Sequence, residues 1–379
     1  MNKLRPIKFT AEPRERVWGG NYLNTRLEKG FEGGTPIGES WELWSLFGKS
    51  SLIEEGFFAG NSLDDFIETY LSDAVGDKVF EYYKGAFPLL IKILDINDRL
   101  SVQVHPDDQT AFEREDSFGK AEFWYVMEAR PEARIYMGFN RKMTPQELYN
   151  RCKNGTLEEV LNVFTPKPGD CIYIEPGCVH ATGGGVVIAE IQQSSDVTYR
   201  LYDWGRENNP ATARRMDLEE AIDVVDYSVY NKEKYYFEQV SGSKTLVDTS
   251  HFIIKSIELK ENTRVIPSLL NSFIVYICTQ GEAHIKMNSG ETYPVKRGET
   301  LFIPAGMEDF LLCPDKENTH LLEVYMPRLE ESDNYLNYDE EEDETHGSYK
   351  DTNEPEHPCD GHCHHHPEHG HGEEAPTHS

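Results

Sequence analysis

The stretch LSVQVHPDD, Leu100 to Asp108, alternates like a β-strand yet carries a glutamine and a histidine two residues apart. Side chains at i and i+2 of a strand project to the same face. Gln103 and His105 therefore point together, and Val102 and Val104 point the other way. Polar groups gathered on one face inside a sheet need partners, because an unpaired buried donor or acceptor is costly.

Working outward, most of the chain reads as short strands divided by Gly, Pro, Asn and Asp: PLLIKILDI, AEFWYVME, ARIYMGF, DCIYIEP, VVIAEIQQ, HFIIKSIEL and SFIVYICT. Two segments, near 62–84 and 144–164, read as helical. In NSLDDFIETYLSDAV, Ser62 can cap the start, Asp64 and Asp65 suit the first turn, and Leu63, Phe66, Ile67, Tyr70 and Leu71 recur with helical spacing. In MTPQELYNRCKNGTLEEVLNVF, Thr144 caps a first helix with Pro145 at its first position, and Thr156 with Glu159 predicts a capping box for a second. Many evenly spaced strands with few helices imply a sandwich or closed barrel.

The chain of 379 residues is long enough for two domains and a sizeable core. A formal net charge of −30 argues against nucleic acid or an anionic membrane surface as main partner. The charge is concentrated at the C-terminal end, where residues 330–379 hold 16 Asp and Glu against the single Lys350. Seven scattered cysteines, no apolar leader and no long apolar run predict a cytoplasmic chain with reduced thiols. The glycine-rich stretches GGTPIGES and TGGGVV lack the ending of a phosphate loop.

PKPGDCIYIEPGCVHATGG and VKRGETLFIPAGMEDFLL share a pattern: glycine, acid, apolar strand, proline, glycine, then a polar residue three positions on. That residue is His180 in the first and Asp309 in the second, which suggests two related barrels of which only the first keeps a ligand. Gly169, the strand after it, Gly177 and His180 resemble the second half-motif of the cupin jelly roll, although Glu175 stands where that motif prefers proline. Gln103, His105 and Glu122 take the places of the first half-motif, with glutamine replacing its first histidine. That replacement, with FPLLIKILDINDRLSVQVHPDD, GKAEFWYV, PGCVHA and TYRLYDWGR, resembles the class I mannose-6-phosphate isomerases, in particular their short bacterial branch, over roughly residues 5–328.

The resemblance implies an all-β-dominated fold of two cupin jelly-roll barrels with a small helical insertion. The expected boundaries are a catalytic barrel at 1–240, a second, metal-free barrel at 245–328, and a disordered acidic tail at 329–379. It also implies one Zn²⁺ per chain held by Gln103, His105, Glu122 and His180, an N/O set that leaves residual positive charge for polarising a substrate oxygen. Arg200 matches the family's catalytic arginine; Lys92, Ser101 and Arg206 match positions that bind substrate. Lys120, two residues before Glu122 and so on its face, and Glu190, a carboxylate inside an apolar strand, are both candidates for proton transfer. Trp18, Gly19, Gly20, Trp41 and Glu42 match recurring family segments and read as mainly structural.

Each ligand taken singly has a plainer explanation. His105 fits a satisfied core histidine, Glu122 the exposed face of an alternating strand, and His180 a turn cap. Four residues in cupin order are harder to explain that way. The activity implied is interconversion of mannose 6-phosphate and fructose 6-phosphate through a cis-enediol; an isomerase of another sugar phosphate and a non-catalytic sugar-binding cupin are the alternatives. A cupin oxygenase would want more histidines around iron.

The C-terminal tail holds nine of the fourteen histidines, with Cys359 and Cys363, and almost no apolar residues after Tyr349. Such tracts bind Zn²⁺, Ni²⁺ or Cu²⁺, which predicts additional metal ions on the tail and a role in loading the barrel site when zinc is scarce. Truncation after about Met326–Glu331 is expected to leave activity in excess zinc unchanged and to slow loading from limiting zinc, followed as zinc uptake over time. Equal loading rates would remove that role.

Overall fold

A computed structural model describes residues 4–33 and 36–328; the tail and the expectations placed on it lie outside the described residues. Two antiparallel sheets face each other in the first barrel. One has seven strands in the spatial order Glu12–Gly20, Ile37–Leu43, Leu89–Ile96, Val186–Gln193, Glu122–Ala129, Cys171–Ile174 and Tyr236–Phe237. The other has five: Tyr199–Tyr202, Val102–Val104, His180–Gly183, Arg134–Phe139 and Leu161–Phe164.

The alternation of each strand explains how these sheets are covered on both sides. Leu94 and Ile96 turn into the barrel against Ile135 and Met137 of the facing sheet. Leu89, Ile91 and Ile93, one residue out of phase, turn outward. Val102 and Val104 likewise turn out of the five-stranded sheet, where they pack with Leu148 and Cys152 of the helix Pro145–Asn154. That leaves the intervening Gln103 for the interior.

A second barrel follows, built from the five strands Lys244–Asp248, Ile253–Leu259, Thr319–Tyr325, Ile274–Gln280 and Thr300–Ile303 and from four more, Thr263–Val265, Phe310–Pro314, Glu282–Met287 and Thr292–Lys296. Its interior is closed by apolar side chains including Tyr276, Ile285, Leu301 and Phe310. Ile254, Val275, Ile277 and Leu322 on its outer face merge with Ile91 and Phe123 of the first barrel into one shared core. The N-terminal segment crosses to the second barrel, where Ile7 and Phe302 exchange backbone hydrogen bonds of 2.8 and 2.9 Å. The fold is thus all-β-dominated, two jelly-roll barrels with a helical insertion. Among the described residues, no helix is long and apolar enough to cross a membrane.

Two local expectations are corrected. Ser62 does cap the first helix in a reciprocal box with Asp65, but that helix stops at Tyr70 and restarts as Ser72–Val75 after Leu71, whose φ is 51°. The restart is redirected by the second barrel: Phe273 N–H donates to Val75 O, Ala305 N–H to Ala74 O, and Gly306 N–H to Asp73 O. Thr144 caps the helix Pro145–Asn154 as expected, with Pro145 in its first turn. Thr156, in contrast, makes no side-chain cap, and Leu157–Val160 is a single 3₁₀ turn. Arg151 takes the Glu159 carboxylate at 2.5 Å, so the reciprocal bond of a capping box is not made.

Candidate active site

Register brings the site together. On the five-stranded sheet Gln103 lies opposite His180 on one side and Arg200 on the other, so three polar side chains form a row on the inner face. On the seven-stranded sheet Glu190 lies opposite Lys92 and Trp124, and Gln192 opposite Glu122. The two rows face each other across the barrel. Between them is a cavity of about 310 Å³ bordered by Ser101, Gln103, Lys120, Glu122, Glu190 and Arg200, among others.

His105, Glu122 and His180 are buried, and their ligand atoms all lie within 4.8 Å of one another. His105 Nδ1–H donates to Val197 O at 2.9 Å and His180 Nδ1–H to Cys178 O at 2.9 Å. A carbonyl only accepts, so each neutral ring keeps its lone pair on Nε2. Those lone pairs face the Glu122 carboxylate, at 3.2 Å from His105 and 3.5 Å from His180. Burial, with Lys120 next in weight, pushes His105 down to about 3, and burial also lowers His180. Burial would raise Glu122, but Lys120 and the two imidazoles outweigh it and hold the carboxyl well below its usual range. His105 Nε2 and Glu122 Oε2 are buried without a hydrogen-bond partner. Acceptors converging in this way fit a metal cation, and each histidine already has the backbone partner that fixes a ligating ring. The Gln103 amide adjoins the cluster, with Nε2 3.3 Å from His180 Nε2 and Oε1 accepting from Ser101 Oγ at 3.3 Å.

Cations surround this centre. Lys120 Nζ lies 3.2 Å from Glu122 Oε1 and donates to Thr198 Oγ1 at 3.4 Å. Lys92 Nζ lies 3.1 Å from Glu190 Oε2 and donates to Gln192 Oε1 at 2.7 Å, while Trp124 Nε1–H donates to Glu190 Oε1 at 2.8 Å. Burial raises the Glu190 carboxyl against the pull of Lys92; burial would lower Lys92, but Glu190 and Glu39 outweigh it and raise it. Both partners are about 5% exposed. Removing one leaves a buried charge unpaired, so Lys92→Met is expected to destabilise the fold by about 3–5 kcal/mol. The double variant with Glu190→Leu should recover most of that loss in a urea titration; a double variant no more stable than Lys92→Met alone would refute the pairing.

The structure places Arg200 on the cavity wall, 3.9 Å from Asp217, with burial and the neighbouring Arg214 lowering its pKa. Arg206 is not brought there: it is tied to Asp98, Asp203 and the Arg99 carbonyl. Arg214 lines the cavity in its stead. Arg16 and Glu39 also line it, as a bidentate pair with contacts of 2.8 and 3.0 Å. Strand alternation in EPRERVW puts Arg14, Arg16 and Trp18 on one face, and that signal was available in the sequence. Trp18 forms part of the cavity wall as well. Gly19 is structural, since a Cβ there would meet Gly38 N at 2.5 Å. In the second barrel Asp309, the counterpart of His180, pairs with Arg264.

A buried two-histidine, one-carboxylate cluster that could hold a metal ion, beside a cavity lined by lysines and arginines as well as carboxylates, defines a jelly-roll protein with a candidate metal centre. The family described as phosphomannose isomerase type I, catalytic domain, matches residues 7–133. The mannose-6-phosphate isomerase ManA of Bacillus subtilis is 32% identical over 316 residues, covering 81% of this chain and 95% of that protein. The mannose-6-phosphate isomerase of Streptococcus mutans is 30% identical over 317 residues, covering 82% and 96%. The crystal structure of a mannose 6-phosphate isomerase from Bacillus subtilis superposes with a TM-score of 0.69 at 26% identity, over 84% of this chain and 99% of that one. A putative mannosephosphate isomerase from Archaeoglobus fulgidus shares the fold, with a TM-score of 0.70 at 21% identity over 86% of this chain and 100% of that one. The chain belongs to the type I mannose-6-phosphate isomerases.

Proposed function

We propose that this enzyme interconverts mannose 6-phosphate and fructose 6-phosphate by proton transfer between C2 and C1 through a cis-enediol, with zinc at Gln103, His105, Glu122 and His180. The observation that carries the metal centre is the convergence of buried acceptors on one point, with both imidazole Nδ1 atoms already committed to carbonyls. Two nitrogens and oxygen donors suit zinc. When bound, zinc supplies positive charge that stabilises the oxyanion developing on the substrate.

The chain's own residues supply the rest. In the aldose-to-ketose direction the C2 hydrogen leaves as a proton and C1 gains one, while the O2 proton moves to O1, so no external oxidant is needed. Glu190, a cavity carboxylate held by Lys92 and Trp124, takes and returns the carbon-bound proton in this account. Lys120, paired with Glu122, carries the oxygen-bound proton. Arg200 adds charge stabilisation beside Gln103. Lys92 and Ser101 hold substrate and ligand side chains in place on the cavity wall. Five described cysteines, Cys152, Cys171, Cys178, Cys278 and Cys313, are free thiols, which supports a cytoplasmic setting.

Zinc-loaded protein fed mannose 6-phosphate in a coupled assay should release fructose 6-phosphate. Turnover of another aldose phosphate at a higher kcat/KM would favour the alternative isomerase, and failure on all of them a sugar-binding role.

A further inference from the structure

Arg206 stands outside the cavity, yet its contacts lead into it. Its guanidinium donates to Asp98 at 3.0 Å, to the Arg99 carbonyl at 2.7 Å and to Asp203 at 2.6 Å. Asp203 is fully buried and accepts at the same time from Arg214, at 3.1 Å from Nε and 2.6 Å from a terminal nitrogen. Arg214 in turn lines the cavity. The chain of contact therefore runs Arg206, Asp203, Arg214, cavity.

The charges in that chain do not cancel. Inside the protein one buried carboxylate lies between two guanidiniums; Asp98 balances Arg206 only from the solvent side, its own side chain 56% exposed. Had Arg214 faced Asp203 alone, the pair would be neutral. The cavity lysines are in that neutral situation, Lys92 against Glu190 and Lys120 against Glu122. Arg200 is arranged differently: Asp217 lies 3.9 Å from it and 2.6 Å from Arg215, which is 73% exposed and also pairs with Glu220. Arg214 thus shares its buried carboxylate with a second guanidinium, whereas Lys92 and Lys120 each face a carboxylate of their own; Asp196 also lines the cavity.

We propose that Arg206 is a positioning residue that neutralises Asp203 from behind, so that Arg214 stays fixed in orientation and keeps its positive charge for the phosphate of the substrate. This rests on the isomerase function proposed above. Arg214 is held through its planar fork, and a guanidinium held that way is pre-organised for phosphate oxygens.

The test is calorimetric titration of the zinc-loaded full-length protein with inorganic phosphate, alongside KM and kcat for mannose 6-phosphate. Arg206→Gln is expected to weaken phosphate binding roughly tenfold and to raise KM by a similar factor, with kcat nearly unchanged. Arg206→Lys, which keeps the charge, should restore most of the binding. Asp98→Asn, which removes only the exposed carboxylate, should bind phosphate as tightly as the wild type or more tightly. Wild-type phosphate affinity in Arg206→Gln, equal losses in the Lys and Gln variants, or weaker binding in Asp98→Asn would each overturn the proposal. Should Arg206→Gln fail to fold, the Lys and Asn variants still decide. Phosphate binding that follows the predicted order in a protein with no turnover would count against the isomerase function and for the charge arrangement; turnover with phosphate binding indifferent to Arg206 would do the reverse.

Discussion

Protein carrying His180→Ala or His105→Ala is expected to purify without stoichiometric metal and to turn over mannose 6-phosphate about a thousandfold more slowly or worse. The size follows from the several kcal/mol of charge stabilisation that a metal ion contributes to such a transition state. Both rings are neutral, both have Nδ1 engaged by a backbone carbonyl, and both direct Nε2 at the Glu122 carboxylate. Truncating either leaves three of the four proposed donors, with one imidazole in place of two, which is too few to hold the ion tightly. Metal content by atomic emission, with a thermal melt to confirm folding, separates loss of the site from loss of the protein. Stoichiometric metal with wild-type turnover in either variant would remove that histidine from the centre.

Arg200→Ala should retain the metal and lose about 10²–10³-fold in kcat, the range seen when one donor aimed at a developing oxyanion is removed. Arg200 faces Gln103 across the strand pair and its Nε is buried without a partner, so its charge is available to a ligand. It is set apart from the cavity lysines, each of which already has a carboxylate within 3.2 Å. Arg200→Lys should recover part of the rate because charge survives while the fork does not. An unchanged kcat in Arg200→Ala would show the residue to be a spectator.

What could be read from sequence was what strand periodicity and ligand chemistry encode locally. Gln103 and His105 could be placed together because an i, i+2 pair in extended chain needs no knowledge of the rest of the fold, although the strand itself ends at Val104. Lys92 and Glu190 stood out as charges in apolar strands, and register pairs them directly. Arg214 was not legible: it sits in irregular chain between the strand Tyr199–Tyr202 and the helix Leu218–Val224, where no period assigns it a direction. Arg206 shows the complementary case: a motif position assigned it to substrate, and in the structure its guanidinium contacts Asp98, Asp203 and the Arg99 carbonyl, partners no local pattern specifies. Leu71 and Thr156 fail for a similar reason. Helical spacing and a capping pattern are local signals, and here hydrogen bonds to the second barrel and a competing Arg151 overrode them. The Ser62 and Thr144 caps meet no such competitor and form as expected.

Zinc-loaded protein is expected to move a proton between C2 and C1 of a hexose 6-phosphate. Incubating it with mannose 6-phosphate in D₂O and following both sugars by NMR tests this directly. Fructose 6-phosphate should appear with solvent deuterium at C1, and recovered mannose 6-phosphate should carry it at C2, as an exchanging base on a cis-enediol requires. Absence of fructose 6-phosphate, or its formation with no deuterium in either sugar, would contradict the account.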